Sequence, residues 1–175
     1  MTRRRPAPLI AVTGFRDSGK TTAIEGLIQD LSRRGYRVGT FKHCHHGYDL
    51  DHPGKDSWRH REAGAAGTVL VSRSGFALLG GPPPDQNPEA LAAWLFPDAD
   101  LILAEGFHWL SLPRVEIAEV DGSSRPAHSD GEVLTRLPFH FGPREIAKLC
   151  DLFERKYLRR PGDVSRQGRC VEAAG

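Results

Sequence analysis

The sequence has little of what would set it apart from an ordinary soluble domain. Its three cysteines, Cys44, Cys150 and Cys170, are an odd and widely spaced set without a CxxC pair. That excludes a disulfide framework and leaves reduced thiols of a cytoplasmic protein as the simplest reading. No uninterrupted apolar run approaches the ~20 residues that cross a bilayer, so no membrane association is expected. The basic residues 1–8 lead into a short apolar run that ends in a glycine loop, a poor secretory leader. A net charge of only +2 removes the electrostatic case for nucleic acid. There is no repeat of fixed period. With 39% hydrophobic and 26% charged residues among 175, the chain can build the core of one ordinary domain.

Hydrophobic periodicity orders that domain. Leu9-Ile10-Ala11-Val12 is a short strand of buried type, ended by a turn at Gly14. Residues 22–34 read as a helix, with Ile24, Leu27, Ile28 and Leu31 at i, i+3, i+4 and i+7 and Gly35 at its C-cap. Residues 37–42 make a second strand, so the start of the chain is a βαβ unit with a parallel sheet and a right-handed crossover. Residues 43–55 read as loop and 56–66 as a short helix. Thr68-Val69-Leu70-Val71 and Phe76-Ala77-Leu78-Leu79 read as strands about a turn at Ser74-Gly75. Pro82-Pro83-Pro84 forces a loop, and 88–96 is a helix with proline near its first turn. Leu101-Ile102-Leu103-Ala104 is another buried strand, ending in Glu105-Gly106. Residues 115–120 alternate apolar and acidic side chains, as in a strand with one wet face. Its edge and that of 76–79 invite pairing with another chain. Residues 121–132 read as loop, and 143–158 as the last helix, with Ile146, Leu149, Cys150, Phe153 and Tyr157 on its apolar stripe. The domain expected is 1–158, followed by a basic, disordered tail, 159–175.

Between the first strand and helix stands Gly14-Phe15-Arg16-Asp17-Ser18-Gly19-Lys20-Thr21-Thr22, a complete phosphate loop. Its two outer glycines allow backbone angles and close approach that a side chain would block. Successive N–H groups then point inward as an anion nest, and the helix N-terminus adds partial positive charge. Lys20 is placed to reach the outer phosphates, and Thr21 to offer a hydroxyl to magnesium. Glu105, directly after a buried strand, is the second magnesium candidate, holding the ion directly or through water. Its alternative is a solvated carboxylate at a strand end. The fold class predicted is α/β, a P-loop NTPase fold with a mostly parallel sheet flanked by helices.

Four histidines and a cysteine fall within residues 43–52. Imidazole and thiolate are good zinc ligands, but no second cluster stands at finger spacing. A switch-like loop over Lys42 to Ser57, facing the nucleotide, is the favoured reading, with a polar loop without chemistry as the other alternative. Its Lys and His side chains can meet anions, and Asp51 or Asp56 can meet magnesium or orient a water.

These segments resemble one family. The Ser18-Gly19-Lys20-Thr21-Thr22 loop, Lys42-His43-Cys44-His45-His46, the run from Asp51-His52-Pro53-Gly54-Lys55 through Asp56-Ser57-Trp58-Arg59, Ala63-Gly64-Ala65 and Glu105-Gly106-Phe107 are similar to the molybdopterin-guanine dinucleotide biosynthesis protein B family, over about residues 9–120. The resemblance implies a P-loop fold, GTP binding with weak hydrolysis, magnesium, a homodimer, and service to the guanylyltransferase that attaches GMP to molybdopterin in molybdenum cofactor maturation. It also implies that residues 14–22 hold phosphates and magnesium, that Asp56-Ser57-Trp58-Arg59 is the switch-like element, and that Glu105 is the acidic partner of the metal. Asp51, Asp56 and Arg59 are then the catalytic candidates, and Arg16 the nearest arginine in cis. The sole asparagine is Asn87, and none of the five lysines follows Asn or Thr, so the usual guanine-selecting motif is missing. Two other readings stay open. One is a small-molecule kinase, with His45, Asp51 or Asp56 meeting an acceptor hydroxyl. The other is a metal chaperone using His43, Cys44, His45 and His46.

Overall fold

The computed structural model describes residues 6–44, 47, 50–80, 87–123 and 130–158. The loop at Pro82-Pro83-Pro84, His45 and His46, and the tail 159–175 with Cys170 lie outside the described residues. Along the chain the elements are β1 (Leu9–Gly14), α1 (Lys20–Arg33), β2 (Val38–Lys42), α2 (Asp56–Glu62), β3 (Gly67–Ser72), β4 (Gly75–Gly80), α3 (Pro88–Leu95), β5 (Leu101–Glu105), β6 (Arg114–Ile117), β7 (Val133–Leu137) and α4 (Pro143–Lys156). They divide into two compact units, one built from Met1–His43 and Glu89–Gly175, the other from Cys44–Pro88.

The first unit is a five-stranded sheet in the order β2-β5-β1-β6-β7, with every neighbouring pair parallel. Its central strands are buried on both faces, which is why β1 and β5 read as unbroken apolar runs. Alternate residues serve opposite cores. Ile10, Val12, Leu101 and Leu103 pack with Ala23, Ile24, Leu27 and Leu31 of α1 and with Ile146, Leu149 and Phe153 of α4. Leu9, Ala11, Ile102 and Ala104 face Ala92 of α3 and the nearby Phe96. Each fully buried large side chain contributes roughly 1.5–3 kcal/mol. Arg34 ties α1 to α4, donating to Asp30 at 2.8 Å, Asp151 at 2.6 Å and Glu154 at 2.9 Å. The Cys150 thiol, buried in the same interface, is pushed up to about 12 by burial and then by its hydrogen bond to Asp30.

Two sequence expectations change here. The strand expected over 115–120 is β6, which stops at Ile117 and is buried along its whole length. It lies between β1 and β7, so it is neither a wet face nor a free edge. Glu116 is neutralised in place by Arg114 Nε at 3.0 Å and Arg136 Nε at 2.8 Å. β7 itself has no counterpart in the sequence reading. Its register against β6 shifts between Arg114 and Val115. That irregularity lets Leu134 and Leu137, three residues apart, reach the same core and hides the two-residue period of a strand.

In the second unit, β3 and β4 form the predicted antiparallel hairpin, with Ser72 opposite Gly75. Leu79 is buried, but Val69, Leu70, Val71, Phe76 and Leu78 are exposed, Val71 by 80% and Phe76 by 75%. α2 ends at Glu62, short of the expected residue 66. No helix of the described residues is long and apolar enough to cross a membrane.

Candidate functional site

β1 is where the sheet's order reverses, with β5 and β2 on one side and β6 and β7 on the other. In open parallel sheets ligands bind beyond the carboxyl ends of the strands at such a point. The phosphate loop leaves the carboxyl end of β1 there and turns directly into α1.

The loop needs its glycines. At Gly14, φ +157°, a Cβ would come within 2.6 Å of Ser18 Oγ and 3.1 Å of the Ile117 carbonyl. At Gly19, φ +90°, a Cβ would meet the Phe141 ring at 3.3 Å, so Phe141 walls the loop from the β7–α4 side. Asp17 is left-handed at φ 57° and lies with Arg16 on the exposed rim, the two forming an ion pair at 3.6 Å. Ser18 Oγ is buried without a hydrogen-bond partner among the described residues. α1 starts at Lys20 with no side chain capping it. Its first N–H groups and the Ser18 hydroxyl are therefore donors that an anion could satisfy. Phe15 is half-buried, and Thr21 and Thr22 stand exposed on the first turn of α1. Lys20 folds back over the loop, donating to the Gly14 carbonyl at 3.3 Å and to the Phe15 carbonyl.

Glu105 ends β5, beside β1 on one flank and β2 on the other. The Thr21 hydroxyl donates to its carboxylate at 3.1 and 3.2 Å, and Lys42 Nζ lies 3.2 Å from Oε1. A hydroxyl and a carboxylate brought together in this way are hard oxygen donors. They fit magnesium, which fills its remaining positions with water and phosphate oxygens. Next to this pair, the His43 ring packs against Trp109 at 4.4 Å and Phe107 at 5.7 Å.

The other sequence candidates lie in the second unit. Asp51 accepts a hydrogen bond from Ser57 Oγ at 2.8 Å and pairs with Arg61 at 2.7 Å, so its carboxylate holds one face of α2. Asp56 and Arg59 are exposed, 3.9 Å apart. Among the described residues, no group of three or more His, Cys, Asp or Glu side chains is arranged to hold a metal ion. The sequence reading missed Phe141 as a loop wall and the contact of Lys42 with Glu105. Neither has a local signature, since both depend on which strands become neighbours.

Sheet order, loop and helix stand as they do in P-loop NTPases, and the fold places the chain in that class. The sequence pattern of the family described as molybdopterin guanine dinucleotide synthesis protein B matches residues 9–135, and the chain belongs to that family. It is 38% identical over 109 residues to a Haemophilus influenzae molybdopterin-guanine dinucleotide biosynthesis adapter protein, a match covering 62% of this chain and 61% of that relative. An Escherichia coli protein of the same name is 38% identical over 122 residues, covering 68% and 70%. A crystal structure of molybdopterin-guanine biosynthesis protein B superposes with a TM-score of 0.64 over 84% of this chain and 97% of the other. At 22% identity, that last likeness speaks for the fold alone.

Proposed function

We propose that the chain is a GTP-binding adapter in molybdopterin guanine dinucleotide formation, with magnesium at Thr21 and Glu105 and slow hydrolysis. One observation carries the nucleotide reading: an uncapped helix N-terminus and a buried, unpartnered Ser18 hydroxyl sit inside a glycine loop at the switch point of a parallel sheet. The adapter role follows the name that the relatives carry, and a guanylyltransferase as its partner is what the family resemblance implies. Residues 14–22 cradle the phosphates, and Lys20 leaves its loop carbonyls for their outer oxygens. When bound, the metal neutralises charge on the triphosphate. Asp56 and Arg59, exposed and lightly paired, are the hydrolysis candidates, whereas Asp51 is committed to Ser57 and Arg61. Slow turnover is in keeping with so few committed catalytic groups. The exposed apolar β3–β4 hairpin is the surface assigned to a second copy of the chain, giving a C2 dimer.

The test is calorimetry with GTP and ATP, magnesium present, on wild type and Lys20→Ala. Wild type is expected to bind GTP in preference to ATP. Lys20→Ala should lose at least ~2 kcal/mol of triphosphate binding, with an unchanged melting temperature in the absence of nucleotide. Unaltered affinity in Lys20→Ala would remove the phosphate-site assignment. Equal affinity for ATP would remove the guanine assignment.

A further inference from the structure

Beside the proposed magnesium ligands stands a charged group that the mechanism above does not use. Lys42 closes β2, Glu105 closes β5, and the two are register partners on adjacent parallel strands. Strand order, rather than sequence spacing, puts their side chains next to each other. The Glu105 side chain is only 14% exposed and is held by the Thr21 hydroxyl, while the ammonium touching it belongs to a side chain that is 59% exposed. A flexible cation thus rests on a sheltered carboxylate, at the position where a P-loop protein needs a metal.

The same carboxylate cannot serve both cations fully. Magnesium requires oxygen ligands at about 2.0–2.1 Å in near-octahedral array. An ammonium at hydrogen-bond distance from Oε1 competes with that geometry and repels the incoming charge. Once Glu105 and Thr21 turn to a metal, the Lys42 charge needs a new counter-charge. In the nucleotide reading above, the outermost phosphate would be the counter-charge arriving with the metal, and Lys42, beside Glu105 at the ends of β2 and β5, is the cation placed to take it up. A diphosphate lacks that outermost phosphate.

We propose that Lys42 is a terminal-phosphate sensor: in the empty protein its ammonium holds the cation position at Glu105, and on binding of a magnesium triphosphate it is released from Glu105 and engages the outermost phosphate. This rests on the nucleotide-binding reading above. It makes Lys42 a specificity-determining residue for triphosphate over diphosphate. A plain ion pair between strand ends, with one exposed partner, contributes little and predicts no effect on nucleotide preference.

The experiment is calorimetric titration of the full chain with GTP and with GDP over a range of magnesium chloride, for wild type, Lys42→Met and Lys42→Arg. In Lys42→Met the ratio of GTP to GDP affinity at saturating magnesium should fall about tenfold, as for loss of one charge-assisted contact made only by the triphosphate. The magnesium concentration for half-maximal GTP binding should also fall, because no ammonium has to be displaced. Lys42→Arg should keep most of the ratio. An unchanged ratio in Lys42→Met, equal losses for GTP and GDP, or an unchanged magnesium midpoint overturns the sensor while leaving the nucleotide site in place. Failure of wild type to bind either nucleotide overturns both readings.

Discussion

Two apolar runs of the same length and similar composition meet opposite fates in this molecule. Leu101-Ile102-Leu103-Ala104 lies wholly inside the parallel sheet, with each residue at 0% exposure. Thr68-Val69-Leu70-Val71 lies in a two-stranded hairpin with its three aliphatic residues exposed. The first is flanked by β1 and β2 and covered by helices on both faces. The second has a single strand partner. Local sequence therefore dictates that each becomes a strand, but only tertiary neighbours decide whether its surface is removed from water. Uncovered apolar surface on a hairpin of this kind invites association with another chain.

The largest expected effect tests the buried side of that contrast. Leu103→Ala should cost about 3 kcal/mol, since it removes a fully buried side chain between β5 and the α1–α4 layer. Urea unfolding measures it. A cost below ~1 kcal/mol would mean that the site collapses around the gap and that the sheet is less tightly built than its burial implies.

The next tests the exposed side. Phe76→Glu, opposite Val71 in the hairpin register, places charge in the middle of the apolar surface. Monomer stability should stay within ~0.5 kcal/mol, as for a surface change, while a dimer built through the hairpin should weaken more than about tenfold. Light scattering at micromolar concentration, with and without nucleotide, reads both wild type and variant. A wild-type mass near 19.3 kDa under both conditions would leave the hairpin without its assigned partner.

The smallest compares two thiols. Cys44 is exposed and Cys150 is buried. Near pH 8, iodoacetamide should label Cys44 readily and Cys150 only on unfolding, as read by mass spectrometry of the digested chain. Cys150 is pushed up to about 12, foremost by burial, so the folded state holds its proton more tightly than the unfolded chain. That stabilisation is fully present below the ordinary thiol range near 9 and is lost as pH rises from there through about 12. Stability that does not decline over this interval, relative to Cys150→Ala, would show the thiol to be less sheltered than its packing implies.

Much of the fold was legible because its signals are local. β1, α1, β5 and α4 each carry a continuous run or a helical stripe, and the hairpin carries a turn between two apolar segments. The phosphate loop was legible because glycine positions, lysine and threonine must follow one another along the chain. What escaped depends on pairing. β7 is disguised by its register shift against β6. Glu116 reads as solvated until Arg136 of the neighbouring strand is seen beside it. The contact of Lys42 with Glu105 comes only through strand order, and Phe141 only through the approach of the β7–α4 connection to Gly19.

The backward fold of Lys20 onto the Gly14 and Phe15 carbonyls has a thermodynamic consequence. Those contacts have to be given up before the ammonium can turn outward, so the receptive conformer would be the less populated one. Apparent affinity is then the intrinsic affinity scaled by that minority fraction, so each tenfold drop in the fraction weakens binding tenfold. Such a loop would discriminate against small stray anions, whose attraction is too slight to recruit the rarer conformer. A polyphosphate that repays the lost carbonyl contacts with several new ones selects it. An anion-binding loop can in this way be both highly charged and quiet when nothing suitable is present.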